Sequence, residues 1–180
     1  MISFIANRPV LQVGKQQVTG YDTQWIRESL TRASNTEENR DLPFIDELIN
    51  GILHYLENKC ALSIVSIETI HARICNMLKR VGLEAMADAL PLLAPPITIS
   101  LKDFAQRAGN GFELAFFNEL HDEIEDLRTH GVETINFTHS EDCVKILKNS
   151  SRWTNSCKSL HQEIISFIEN HHQKDLVTAC

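Results

Sequence analysis

The sequence contains no apolar run approaching the roughly 20 residues needed to cross a bilayer. Its opening Met1-Ile2-Ser3-Phe4-Ile5 lacks the basic flank and longer apolar stretch of a secretory signal. A cytoplasmic protein with no membrane partner is therefore expected. Basic clusters are scarce as well, none denser than Lys79-Arg80, and the net charge of the 180 residues is −7. Binding a polyphosphate backbone needs a basic face that releases counterions, so no nucleic-acid partner is expected. The five cysteines, Cys60, Cys75, Cys143, Cys157 and Cys180, include no CxxC pair, and their odd number argues against a disulfide framework. Also absent are a Gly-rich lysine loop, a dinucleotide fingerprint, an internal repeat and any low-complexity tract.

What is present is ordinary globular composition, 43% apolar and 23% charged. The sharpest boundary is Pro91 with the Pro95-Pro96 pair, since proline biases its predecessor away from helix. Residues up to Pro95 carry 9 basic and 11 acidic side chains and the remainder 8 and 13, so the acidic excess lies mainly beyond the boundary. The expected organisation is a domain at 1–94, a second at 97–170 and a tail at 171–180.

Before the boundary, 8–13 reads as a strand, Gly14 to Gln17 as a turn and Val18-Thr19 as the return strand. Asp22 is placed to cap a helix with Ile26, Leu30 and Ala33 inward. Ser34 to Asp41 reads as a loop. Phe44, Ile45, Leu48, Ile49, Ile52, Leu53 and Leu56 then recur in adjacent pairs, a wide apolar helical stripe with Asp46 and Glu47 in its first turn. After a loop over Asn58 to Leu62, Ser66 is placed to cap a third helix with Ile67, Ile70, Ile74, Met77 or Leu78, and Val81 inward. Gly82 interrupts it, and Leu83 to Leu90 forms a short fourth helix.

Beyond the boundary, Ile97 to Ser100 is β-prone and Ser100 opens a helix to Arg107, with Asp103 in capping-box position. Phe112, Phe116, Leu120, Ile124 and Leu127 share one helix face, with Gly131 as the stop. Glu133 to Thr138 is a strand, Asp142 to Lys148 a short helix and Ser156 to Asn170 a final one. The fold class is thus α+β and helix-rich: an N-terminal β-hairpin with three to four helices, then a small α/β domain containing a βαβ unit.

The order hairpin, Tyr21-Asp22, amphipathic helix, long helix and capped helix resembles an ATP-cone domain. The matching residues are Val10 and Gly14, then Tyr21-Asp22 with Ile26, Ser29-Leu30 and Ala33. The Ile45 to Leu56 helix, Val65-Ser66-Ile67-Glu68 with Ile70, and Leu78, Gly82-Leu83 and Ala85 to Ala89 complete the match, over about half the chain. ATP-cones are nucleotide-sensing regulatory modules of ribonucleotide reductases and of their transcriptional repressor. The resemblance implies an adenine nucleotide, ATP or dATP, as ligand, with the triphosphate near the hairpin and the base between helices. Where the family usually has a Lys-Arg pair on the first strand, this chain has Leu11-Gln12-Val13, in a hairpin whose turn reads as longer. Arg8 and Lys15 are left to meet phosphates, Val10 and Gly14 to shape the hairpin, and Arg27 and Arg32 to add charge from the first helix.

The function so implied is a non-catalytic regulator whose ligand shifts association with a partner protein or a second copy. No catalytic residue, metal or resident cofactor is expected. Two alternatives stand beside it. One is an interaction module with a degenerate cone that binds no nucleotide. The other uses His139, Cys143, Cys157 and His161, whose i, i+4 pairs could close a tetrahedral zinc site, although two buried thiols and two surface imidazoles explain them more simply. Cys143 lies beside Glu141 and Asp142, which oppose a thiolate. The run Asp122-Glu123-Ile124-Glu125-Asp126 reads as a solvated helix face. Trp25 and Trp153 read as core-edge side chains rather than partner anchors.

Overall fold

The computed structural model describes residues 8–34, 44–60 and 62–177, the last six as helix backbone alone. The loop expected at Ser34 to Asp41 lies almost wholly outside the described residues. The chain is α+β, and it divides into two compact units, residues 1–97 with 125–135, and residues 98–124 with 136–180. Both units are assembled from non-contiguous stretches, unlike the contiguous domains expected from the prolines. The division cuts one uninterrupted helix after Ile124.

In the first unit, β1 (Val10–Val13) and β2 (Gln16–Val18) form the expected hairpin, with Val13 opposite Gln16. Its loop is only Gly14-Lys15, shorter than the sequence suggested, because Gln16 and Gln17 belong to the return strand. Gly14 has φ +54°, the positive value that a type II′ turn places on its first loop residue. A third strand, β3 (Ile64–Ser66), lies between the expected loop and the Ser66 cap, where no strand was expected; it runs parallel to β1, giving the order β2-β1-β3.

Four helices follow the same pattern. They are α1 (Gln24–Ser34), α2 (Ile45–Asn58), α3 (Ile67–Arg80) and α4 (Glu84–Asp88). Asp22 Oδ1 accepts from Gln24 N at 3.1 Å where α1 begins, and Ser66 Oγ accepts from Thr69 N at 3.2 Å at the start of α3. Leu11 and Val13 point from the sheet into a core shared with Ile26, Leu30, Ile67 and Leu78, all buried. Trp25 is buried too and donates through Nε1 to the Asp22 carbonyl, whereas Val81, expected inward, follows the end of α3 and is 58% exposed. Residues 125–135 belong to this unit: Gly131 O accepts from Ala94 N and Thr134 O from Ile97 N. A Cβ on Gly131, whose φ is +80°, would collide with the Leu92 carbonyl, so both the turn and the close approach require glycine.

The elements of the second unit, or shared with it, are β4 (Ile97–Ser100), α5 (Leu101–Ala108), α6 (Glu113–Thr129), β5 (Ile135–Thr138), α7 (Ser140–Leu147) and α8 (Asn155–Val177). Strands β4 and β5 pair in parallel across the α5–α6 connection, the expected βαβ unit. Phe104, Phe116, Leu120, Val144, Leu147 and Ile164 fill its core. Three details differ from expectation. Helix α8 continues through Val177, so 171–177 is helix rather than tail, and His171 is buried. Phe112, expected inward, is 63% exposed. Ser100 begins α5 but makes no side-chain capping bond.

Candidate functional site

The hairpin was the expected phosphate site, and its surroundings are anionic. Gly14 faces the Asp126 carboxylate, whose Oδ2 is buried and has no hydrogen-bond partner among the described residues, and the His130 ring lies beside it. Val10 is half-buried in β1, and Lys15 is exposed at the tip. Arg8 is spoken for: its guanidinium meets Glu57 Oε1 at 2.8 and 2.9 Å and donates to the Tyr21 carbonyl at 3.2 Å. Arg27 pairs with Asp46 at 2.7 Å. Arg32 forks onto both carboxylate oxygens of Glu133, which holds that carboxyl below its usual range.

These cations do not converge. Glu57 and Asp46 stand near opposite ends of α2, about 16 Å apart at 1.5 Å per residue, so Arg8 and Arg27 sit at separate places. A triphosphate would have to displace a carboxylate from each arginine that it met. A small cavity near Arg32, about 120 Å³, is lined by Asp22, Glu28 and Glu133, which repel an anion.

A larger cavity, about 370 Å³, lies between α2 and α3 beside β3. Its walls are Ile52 and Leu56 from α2, Val65 from β3, and Ile70, Ile74 and Met77 from α3. Both helices turn their apolar stripes toward it. Gly51 supplies no side chain on the α2 side, and a Cβ built there would meet nothing within 4 Å. Gly51 and Arg73 are exposed, so the cavity reaches solvent at these residues. There the Arg73 guanidinium lies 5.2 Å from the centre of the Tyr55 ring, a cation–π contact. The lining can take up a flat apolar ring while Arg73 meets an anionic group at its edge. Sequence reasoning passed over Gly51, Tyr55 and Arg73. The available signal was a glycine inside the most apolar helix, and an arginine between Ile70, Ile74 and Met77 at helical spacing.

No protein-family model, curated protein or solved structure matches this chain.

His139, Cys143, Cys157 and His161 are not gathered into a ligand cluster. Among the described residues, none of these four belongs to a group of three ligand side chains close enough to hold a metal ion. Cys143 is fully buried, and burial pushes its thiol up to about 12. Cys157 is also buried; the Thr154 hydroxyl donates to its sulfur at 3.2 Å and lowers the thiol's pKa. His161 contacts Ser140 Oγ at 3.3 Å, and Trp153 stands edge-on to its ring. Trp153 is 38% exposed rather than plugging a core edge. The acidic run is not a uniformly solvated face either, since Glu123 is 6% exposed and Asp126 turns to the hairpin. Among the described residues, no helix is long and apolar enough to cross a membrane.

Proposed function

We propose that the first unit binds an adenine nucleotide, with the base in the α2–α3 cavity, and acts as a non-catalytic regulatory module of ATP-cone type. The observation that carries this reading is the 370 Å³ apolar cavity with Arg73 stacked at its edge. A base lying between helices is what the resemblance of Val10 to Leu92 implies. The phosphates are assigned to Arg73 rather than to the hairpin, because Arg8, Arg27 and Arg32 already hold carboxylates and Gly14 faces Asp126. Ligand binding would then alter association with a partner protein or a second copy. The same three ion pairs favour the second reading, an interaction module that binds no nucleotide.

Thermal unfolding of the full chain with millimolar ATP or dATP at fixed magnesium separates the two. A ligand at 100 times its dissociation constant stabilises the folded state by about 2.7 kcal/mol, a readily visible shift in Tm. The expected result is a rise with ATP or dATP and none with pyrimidine nucleotides. Gly51→Leu, which fills the cavity from an open position, and Arg73→Glu should each remove it. Lys15→Glu should leave it intact; a loss there and not at Arg73 would return the phosphates to the hairpin. Absence of any nucleotide shift in the folded wild-type chain would leave the interaction module as the better reading.

A further inference from the structure

The 120 Å³ cavity near Arg32 lies wholly within the first unit and shares no lining residue with the α2–α3 cavity. Its floor is apolar, since Trp25, Leu93 and Ala94 line it and are buried. Its rim is acidic, since Asp22, Glu28 and Glu133 line it and are exposed. Asp22, Trp25 and Glu28 recur at three-residue spacing across the start of α1, which makes them neighbours on that helix. Glu133 arrives with the segment that returns to the unit. The Trp25 indole donates through Nε1 to the Asp22 carbonyl at 3.1 Å, so its single donor is already engaged. The rim carboxylates have partners as well. Asp22 Oδ1 accepts from Gln24 N at 3.1 Å, Glu28 Oε1 from Gln24 Nε2 at 3.2 Å and Glu133 Oε2 from Arg32 at 2.8 Å. Three carboxylates are offset by one guanidinium, so the rim stays negative.

We propose that this cavity binds a quaternary ammonium group, the head of a choline-like small molecule. Its size sets the first limit. At about 30 Å³ per water the space holds about four waters, or a group of about four or five non-hydrogen atoms, and drug-sized ligands need roughly 300 Å³ or more. Its charge sets the second, because the carboxylates repel anions and a neutral ligand gains nothing from them. Its hydrogen bonding sets the third. A primary ammonium brings three donors and a tight hydration shell, which acceptors already occupied by Gln24 and Arg32 replace poorly. A quaternary ammonium carries no N–H, and its charge is spread over methyl groups. Those methyls can rest on Trp25, Leu93 and Ala94 while the charge is met by the indole π-system and the acidic rim. A methylated lysine side chain presents the same head, so the source of the ligand is part of the test.

Choline titrated calorimetrically into the full chain at millimolar concentration should bind saturably and raise Tm. With Trp153→Phe, Trp25 is the one tryptophan left, and its emission should change along the same binding curve. The carbon isostere of choline, in which a quaternary carbon replaces the nitrogen, should bind more weakly by about tenfold or more. Glu28→Gln should lower choline affinity severalfold, and Arg32→Gln, which removes the competing cation, should raise it. Both positions are exposed, so the test survives if a Trp25 variant fails to fold. Equal affinity for choline and a trimethyllysine peptide would assign the head to a free small molecule, and much tighter peptide binding to a protein side chain. No saturable choline binding by the folded wild-type chain, or equal binding of the uncharged isostere, would overturn the proposal. So would Glu28→Gln and Arg32→Gln chains that bind choline as the wild type does.

Discussion

Tyr21 shows how one side chain ties the strand entry of the first unit together. The residue is 6% exposed; its phenol donates to the Pro9 carbonyl at 3.1 Å, while its own carbonyl accepts from Arg8. Burial, opposed by the charge of Arg8, pushes its pKa from 10.0 to about 12. The folded state therefore favours the neutral phenol. That contribution is complete below pH 10 and is lost as pH rises from about 10 to about 12; Cys143, raised from 9.0 to about 12, acts in the same direction. Urea unfolding followed against pH should thus show stability falling through this alkaline window, with Tyr21→Phe removing the tyrosine share of the slope. At neutral pH the same variant should cost about 1–2 kcal/mol, because the buried Pro9 carbonyl loses its donor. A Tyr21→Phe chain as stable as wild type would mean that water reaches that carbonyl. At this scale the sequence told which residues carry charge but not whom they meet. Glu57, Asp46 and Glu133 lie 49, 19 and 101 positions from the arginines they hold, and no local pattern announces such pairs.

The elements follow the sequence where their periodicity is local. Helices α1, α2, α3, α5 and α6 begin within a few residues of the expected starts, because apolar spacing and polar starts are properties of a short window. Strand β3 was missed because it is three residues long and exists through its parallel partner β1, more than fifty positions earlier. The end of α8 was missed for the opposite reason: the stretch after Asn170 is polar, with no apolar stripe to mark it as helix, yet helix continues through Val177. Capping separates two serines that look alike in sequence. Ser66 accepts from Thr69 N, whereas Ser100 makes no side-chain cap bond. Ser66→Ala should cost about 1 kcal/mol and Ser100→Ala only a few tenths, measured by chemical denaturation of each variant. Equal losses at the two positions would show that Ser100 gains a bond in solution, or that water replaces the one at Ser66. The α2–α3 cavity is also an element-scale feature: the stripes were legible, but the space between them depends on what Gly51 leaves empty.

Across the whole molecule, the prolines at 95 and 96 mark a real change of unit, but they do not mark where the first unit ends. Residues 125–135 return to it and bring Leu127 and Val132 into buried positions, the carbonyls that receive Ala94 N and Ile97 N, and Glu133 for Arg32. Burying the two apolar side chains alone is worth about 3–6 kcal/mol. Total stability for a domain is about 5–15 kcal/mol, so this segment supplies a large share of what keeps the first unit folded. A fragment of residues 1–94, the domain that the sequence suggests, should therefore be unfolded or should melt far below the full chain by circular dichroism. The ion pair of Arg32 with Glu133 is exposed and adds little, so Glu133→Ala in the full chain should shift stability by less than about 1 kcal/mol. Comparing the two measurements assigns the loss to the buried apolar side chains and backbone bonds rather than to the salt bridge. A fragment 1–94 that melts cooperatively at the full chain's temperature would mean that the returning segment is packed on a unit already stable without it.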